Sequence, residues 1–147
     1  DTKKMKLKDM VVQSRARNID TLRIGSGASP VLLWYWRRED SDRKRAVDSL
    51  RRVLKWRPDS ASMIVADIAL MSDSAQWNFS SRQDSLDGAV RVFAPRGLAD
   101  PDIMTMGVHS TPWFIVASGK GKAAYSGPDL DKAMAAFRKL RPKKPKS

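Results

Sequence analysis

The chain has 147 residues, 41% of them apolar and 7% aromatic, with no cysteine and a formal net charge of +12. That length fits one domain able to bury a core without staples, and the apolar content excludes an intrinsically disordered chain. No apolar run approaches the ~20 residues that cross a bilayer as a helix, and without a thiol the chain has no nucleophile for thiol–disulfide exchange.

Charge is distributed unevenly. Lys and Arg total 28 against 16 acids. The basic residues crowd at Lys3–Lys8, along Arg43–Arg57, and in the segment from Arg138 to Lys146. Such a field favours anionic partners; a solvated basic surface is the simpler expectation. Residues 1–8 have no hydrophobic stretch behind them, so no signal peptide is expected there. The lack of cysteine is compatible with any redox compartment.

In chain order, residues 5–10 suggest a short edge strand or turn and residues 20–23 another. Val31–Trp36 is continuously apolar, the pattern of a strand buried on both faces. A helix follows, with Asp40 or Ser41 as N-cap and Asp42 in its first turn near the positive end of the dipole. Ala46, Val47, Leu50, Val53 and Leu54 recur on one helical face, and Pro58 ends the helix. Met63–Leu70 reads as a second buried strand. Ser72 or Asp73 then caps a short helix containing Ala75, Trp77 and Phe79. Val90–Phe93 is a short strand. Pro101 opens a helix running to about Met106, and Pro112–Ala117 is a third apolar strand. Gly119–Lys122 makes a hairpin turn to Ala123–Tyr125. Pro128 and Asp129 open a last helix with Leu130, Ala133, Met134, Phe137 and Leu140 on one face. Alternating strands and helices imply a central sheet covered on both faces, a single three-layer α/β domain. The tail 141–147 is basic, proline-containing and expected to be disordered.

Several strings resemble the thioredoxin-like family, in particular its TlpA/ResA-like or AhpC/TSA-like redoxins. Trp36-Arg37-Arg38-Glu39-Asp40-Ser41-Asp42-Arg43 resembles the family's aromatic-x-x-x-Cys-x-x-Cys turn, with Asp40 and Arg43 in place of both cysteines. The strand around Ile68 followed by Asp73–Trp77 is similar to the family's second core strand and the helix after it. Met106–Val116 resembles its Gly-Val-x-x-x-Pro approach to a cis-proline strand, and Gly119–Tyr125 its Gly-Lys hairpin. The resemblance covers residues 5–140 and implies a thioredoxin-like three-layer sandwich, a mixed sheet flanked by helices, over residues 1–140. It also implies that the Thr111–Pro112 bond is cis and that the residue before the proline offers its backbone to an extended peptide. Relatives of this kind are commonly exported and membrane-tethered, which implies an extracytoplasmic (periplasmic or membrane-tethered) location.

The expected role of Asp40 is to cap the helix and pair with Arg43 three residues on; recognition by Asp40, Ser41 and Arg43 is the alternative. His109 is the sole histidine, and with no cysteine beside it no typical zinc set is available. A Ser110–His109 nucleophile–base pair lacks a third orienting group. Trp34, Trp36 and Trp113 lie on predicted core strands and read as packing before nucleic-acid stacking. The scattered methionines read as gap fillers, and Gly25-Ser26-Gly27 as a connector rather than a phosphate loop. These readings imply no catalytic residue, no metal and no cofactor. The expected function is a redox-inactive module that binds a protein or peptide through Trp36, Asp40, Ser41, Arg43, Thr111 and Pro112. The rival is a basic adaptor that binds an anionic polymer, nucleic acid or acidic glycan, or a membrane surface, through the first helix and the tail.

Overall fold

Val31–Trp36 (β3) is an interior strand whose side chains are all buried, as an apolar run without alternation requires. In the computed structural model, which describes residues 10–14, 19–22, 29–55, 64–70, 86 and 89–140, β3 pairs parallel with β4 (Ile64–Leu70) and antiparallel with β6 (Trp113–Ala117). The remaining strands are β1 (Met10–Ser14), β2 (Ile19–Leu22), β5 (Val90–Ala94) and β7 (Ala123–Gly127). Together they form a seven-stranded mixed sheet in the order β2-β1-β5-β4-β3-β6-β7. Its helices are α1 (Arg43–Lys55), α2 (Pro101–Thr105) and α3 (Leu130–Lys139), with a 3-10 turn at Gly97–Ala99.

Successive side chains of a strand point to opposite faces, so β3 divides the core in two. Leu32, Trp34 and Trp36 face α1 and α3, where they meet Leu50 and Val53 of α1 and Ala133 and Phe137 of α3. Val31, Leu33 and Tyr35 face the other side, against Ile103 of α2, Met106 and Val108. This is the three-layer arrangement expected from the alternation of elements. Each large side chain fully buried in these layers contributes ~1.5–3 kcal/mol.

Two of the helices, α2 and α3, begin at capping aspartates. Asp100 accepts the Asp102 N–H at 2.9 Å ahead of Pro101, and Asp129 accepts the Lys132 N–H at 3.1 Å ahead of Leu130. At the front of the sheet the expectations shift. The short edge strand or turn expected over 5–10 meets the described residues only at Met10, where β1 (Met10–Ser14) begins, paired antiparallel with β2 and with β5. Residues 5–9, Pro58, the helix expected around Ala75 to Phe79 and the tail 141–147 lie outside the described residues.

The register of the central strands sets the geometry of the candidate site. Because β6 runs antiparallel to β3 with Tyr35 opposite Trp113, the chain leaving β3 after Trp36 passes beside the chain entering β6 at Pro112. The α1 N-terminus follows at the same edge. Loops at the carboxyl ends of parallel strands are where α/β sheets gather binding residues.

Candidate functional site

The turn after β3 is closed by two bonds. The Asp40 N–H donates to the Arg37 carbonyl at 3.0 Å, and the Arg37 N–H donates to Asp40 Oδ2 at 2.9 Å. The other carboxylate oxygen, Asp40 Oδ1, accepts the Thr111 hydroxyl at 2.7 Å. Thr111 Oγ1 in turn accepts the Arg37 Nε–H at 2.8 Å. Arg37, Asp40 and Thr111 thus form a ring, closed through the Arg37 main-chain N–H, that ties the β3–α1 turn to the loop before β6, across 71 and 74 residues of chain. The Thr111–Pro112 bond is cis, as the resemblance implied.

This geometry corrects the expected role of Asp40. Its recorded bonds go to Arg37 and Thr111, not to the helix or to Arg43. The Asp42 carbonyl accepts the first helical bond, from the Ala46 N–H at 3.1 Å, so Asp42 stands at the N-cap position and α1 starts at Arg43. Arg43 turns inward, with its guanidinium 4.1 Å from the centre of the Trp36 ring, a contact of ~0.5–2 kcal/mol.

Trp36 is also corrected. It is 0% exposed, so it cannot meet a partner directly. Its indole Nε1–H donates to Asp67 Oδ1, a buried carboxylate on β4. Burial pushes the Asp67 carboxyl above the usual range, while the Trp36 bond and the charges of Arg43 and Arg91 pull the other way. Arg91 is opposite Asp67 in the parallel β4–β5 register and so shares its face of the sheet. Beneath the turn, therefore, lies a polar group made of Trp36, Arg43, Asp67 and Arg91. Sequence reasoning missed it; the available signal was the lone acid within the apolar strand Met63–Leu70.

The other expected residues are at the surface. Ser41 is exposed, and Thr111 and Pro112 are half-buried. A pocket of about 370 Å³ opens beside them, with Asp40, Arg43 and Pro112 in its lining together with Trp34, Phe114 and Leu130. His109 is exposed, and its ring lies 4.7 Å from that of Trp113. Among the described residues no group of three or more His, Cys, Asp or Glu is disposed to hold a metal ion. The described residues of the site offer hydrogen-bonding and apolar groups, and the chain carries no thiol.

No family profile matches the sequence, and no curated protein does. Solved structures do resemble the fold. A thiol-disulfide oxidoreductase from Bacteroides fragilis superposes with a TM-score of 0.79 at 16% identity, covering 92% of this chain and 99% of its own. The thioredoxin domain of a thiol-disulfide oxidoreductase from Bacteroides vulgatus gives 0.78 at 12% identity, covering 94% and 96%. An exposed lipoprotein thioredoxin from Streptococcus pneumoniae gives 0.69 at 15% identity, covering 90% and 99%. This chain has the thioredoxin-like fold of those proteins and carries it without a cysteine.

Proposed function

We propose that this chain is a redox-inactive thioredoxin-like module that binds a protein or peptide in extended form across the Arg37–Asp40 turn and the Thr111–Pro112 loop. The observation that carries the reading is the Asp40–Thr111 bond at 2.7 Å. It holds the two loops side by side with a carboxylate at the position where the resemblance expects a nucleophilic sulfur. The β6 ladder begins only at Trp113, so the main chain of Thr111 lies beyond its last pair and is available to an added strand. Ser41 and the half-buried Pro112 complete the face. An extracytoplasmic location belongs to the same reading, supported by the exposed lipoprotein among the similar structures.

The basic surface supports a second reading, an adaptor for an anionic polymer or membrane surface. Lys44, Arg52 and Lys55 are exposed on α1 within a chain of net charge +12. Part of that helix's charge is already engaged, because Arg45 binds Asp131 and Arg51 lies 3.7 Å from Asp48.

Peptides selected from a random library against the purified chain separate the two readings. On the first, their binding weakens at least about tenfold in Thr111→Val and Asp40→Ala, which each remove two hydrogen bonds at the face. It changes little between about 50 and about 500 mM salt. Peptide binding indifferent to both substitutions overturns it. On the second, DNA or heparin binding falls log-linearly with salt and weakens on deletion of residues 141–147.

A further inference from the structure

The Arg37 side chain enters the ring at the turn through Nε alone. Its Nε–H donates to Thr111 Oγ1 at 2.8 Å, and the Thr111 hydroxyl is itself turned to Asp40 Oδ1 at 2.7 Å. Among the described residues, no hydrogen bond uses the two terminal nitrogens of the Arg37 guanidinium. Neither nitrogen is buried, and the side chain as a whole is 42% exposed. A guanidinium is planar and its donors stand in a fixed fork, so anchoring Nε keeps the terminal nitrogens within about 5 Å of Thr111 Oγ1.

The carboxylates beside this fork do not fill it. Asp40 spends one oxygen on the Arg37 main-chain N–H and the other on the Thr111 hydroxyl. Glu39 comes only to 3.8 Å, on the Nε side, and its own side chain is 75% exposed. A pair so exposed contributes little and yields to a better-placed acceptor. The next arginines along the chain are already engaged. Arg43 lies over the Trp36 ring, and Arg45 takes both oxygens of Asp131. Arg37 differs from both, with its orientation fixed and its terminal donors open. Such a donor has lost side-chain freedom before any ligand arrives, which lowers the cost of binding one.

We infer that Arg37 selects a carboxylate on the segment docked along Thr111, pairing both of its oxygens through the two terminal nitrogens. The inference rests on the peptide reading and deepens it by naming an acidic peptide as the class of partner. The main chain of Thr111 lies beyond the β6 ladder, so a strand laid along it passes beside the fork. The carboxylate belongs to a side chain of that segment or to its C-terminus. Pairing of this two-pronged kind is what a guanidinium supplies and an ammonium does not. Thr111 is then a positioning residue whose hydroxyl anchors Arg37, and Asp40 acts through Thr111. One charge pair adds only a shallow salt dependence, unlike the steep one of a polyanion.

Hexapeptides selected from a random library against the full chain test this at about 150 mM salt, where long-range attraction to the basic surface is screened. The binders are expected to carry an acidic side chain at a fixed position or to need their terminal carboxylate. Changing that side chain to its amide, or amidating the terminus, is expected to weaken binding to the parent about tenfold. Whichever change does so identifies the source of the carboxylate. The same change should cost less than about twofold against Arg37→Gln, because the partner of the carboxylate is then already gone. It should keep its full cost against Lys120→Gln, which removes an equal charge from the hairpin turn between β6 and β7, away from the face. Arg37→Lys keeps the charge without the fork and should behave as Arg37→Gln does, so it decides if the glutamine variant fails to fold. Thr111→Ser, which keeps the hydroxyl, should retain the preference for a carboxylate, and Thr111→Val should lose it. Binders weakened by Thr111→Val and Asp40→Ala that need no carboxylate, or whose carboxylate matters equally against Arg37→Gln, overturn the inference and leave the binding face standing. Binders indifferent to both substitutions, or no binders at all, overturn the face and the inference with it.

Discussion

Among the described residues, Asp67 is the buried carboxyl through which pH is expected to act on stability. It is 3% exposed, and burial is the largest influence on its carboxyl, raising the pKa against the opposing effects of Trp36, Arg43 and Arg91. An unfolded aspartate titrates near 4. When the folded-state value is higher, the folded protein holds more protons between the two values. Stability then declines as pH rises from about 4 to the folded-state pKa and levels off above it. Asp67→Asn keeps an acceptor for the Trp36 indole but has no charge to desolvate. Denaturant midpoints measured across that window should therefore fall for the parent and stay flatter for the variant, so that the difference moves in the variant's favour as pH rises. Parallel curves would show that the two arginines fully offset the burial of the carboxylate.

Between elements, packing and charge contribute on different scales. Arg45 and Asp131 join α1 to α3 by two hydrogen bonds, yet their side chains are 55% and 72% exposed. An exposed pair of this kind is worth ~0.2–1 kcal/mol and is screened by salt. Phe137, 0% exposed between α3 and the sheet, should cost ~3–5 kcal/mol on truncation to alanine. Chemical denaturation of Asp131→Ala and Phe137→Ala checks that ranking; equal losses would mean that the helix pair, not the core, orders α3. The same distinction explains what the sequence made legible. β3, β4 and β6 are readable because burial on both faces demands a nearly continuous apolar run, interrupted in β4 only by Asp67, and α3 because its cap and apolar face are local. The extent of β1 beyond Met10 is not legible because it is set by pairing with β2 and β5, which no local signal records. The roles of Asp40 and Arg43 were misread for the same reason. Local spacing favours a cap and an i,i+3 pair, but a threonine 71 residues away supplies the bond to Asp40. Trp36 and a carboxylate on the next strand draw Arg43 inward instead.

At the scale of the whole molecule, the two positions that the resemblance aligns with cysteines are not independent surface sites. Their residues belong to separate networks: Asp40 holds the turn to the cis-proline loop, and Arg43 covers Trp36 and faces the buried Asp67. Installing thiols by Asp40→Cys and Arg43→Cys together would place sulfur at a helix start, where a cysteine pKa is lowered, but would dismantle both. Thr111 and the Arg37 N–H would lose their acceptor, and Asp67 would keep only Arg91 of its two arginines. Removing one partner of a buried charge is costly, and losing hydrogen bonds adds to it. The reduced double variant should therefore be less stable than the parent by ~2 kcal/mol or more. Adding Asp67→Asn should return a large part of that loss, because the charge left without Arg43 is then gone. Denaturant midpoints of the parent, the double and the triple variant, all reduced, test this. A double variant as stable as the parent would mean that Asp40 and Arg43 merely occupy their positions; the expected order of parent above triple above double would mean that the fold now depends on the residues standing where thiols would be.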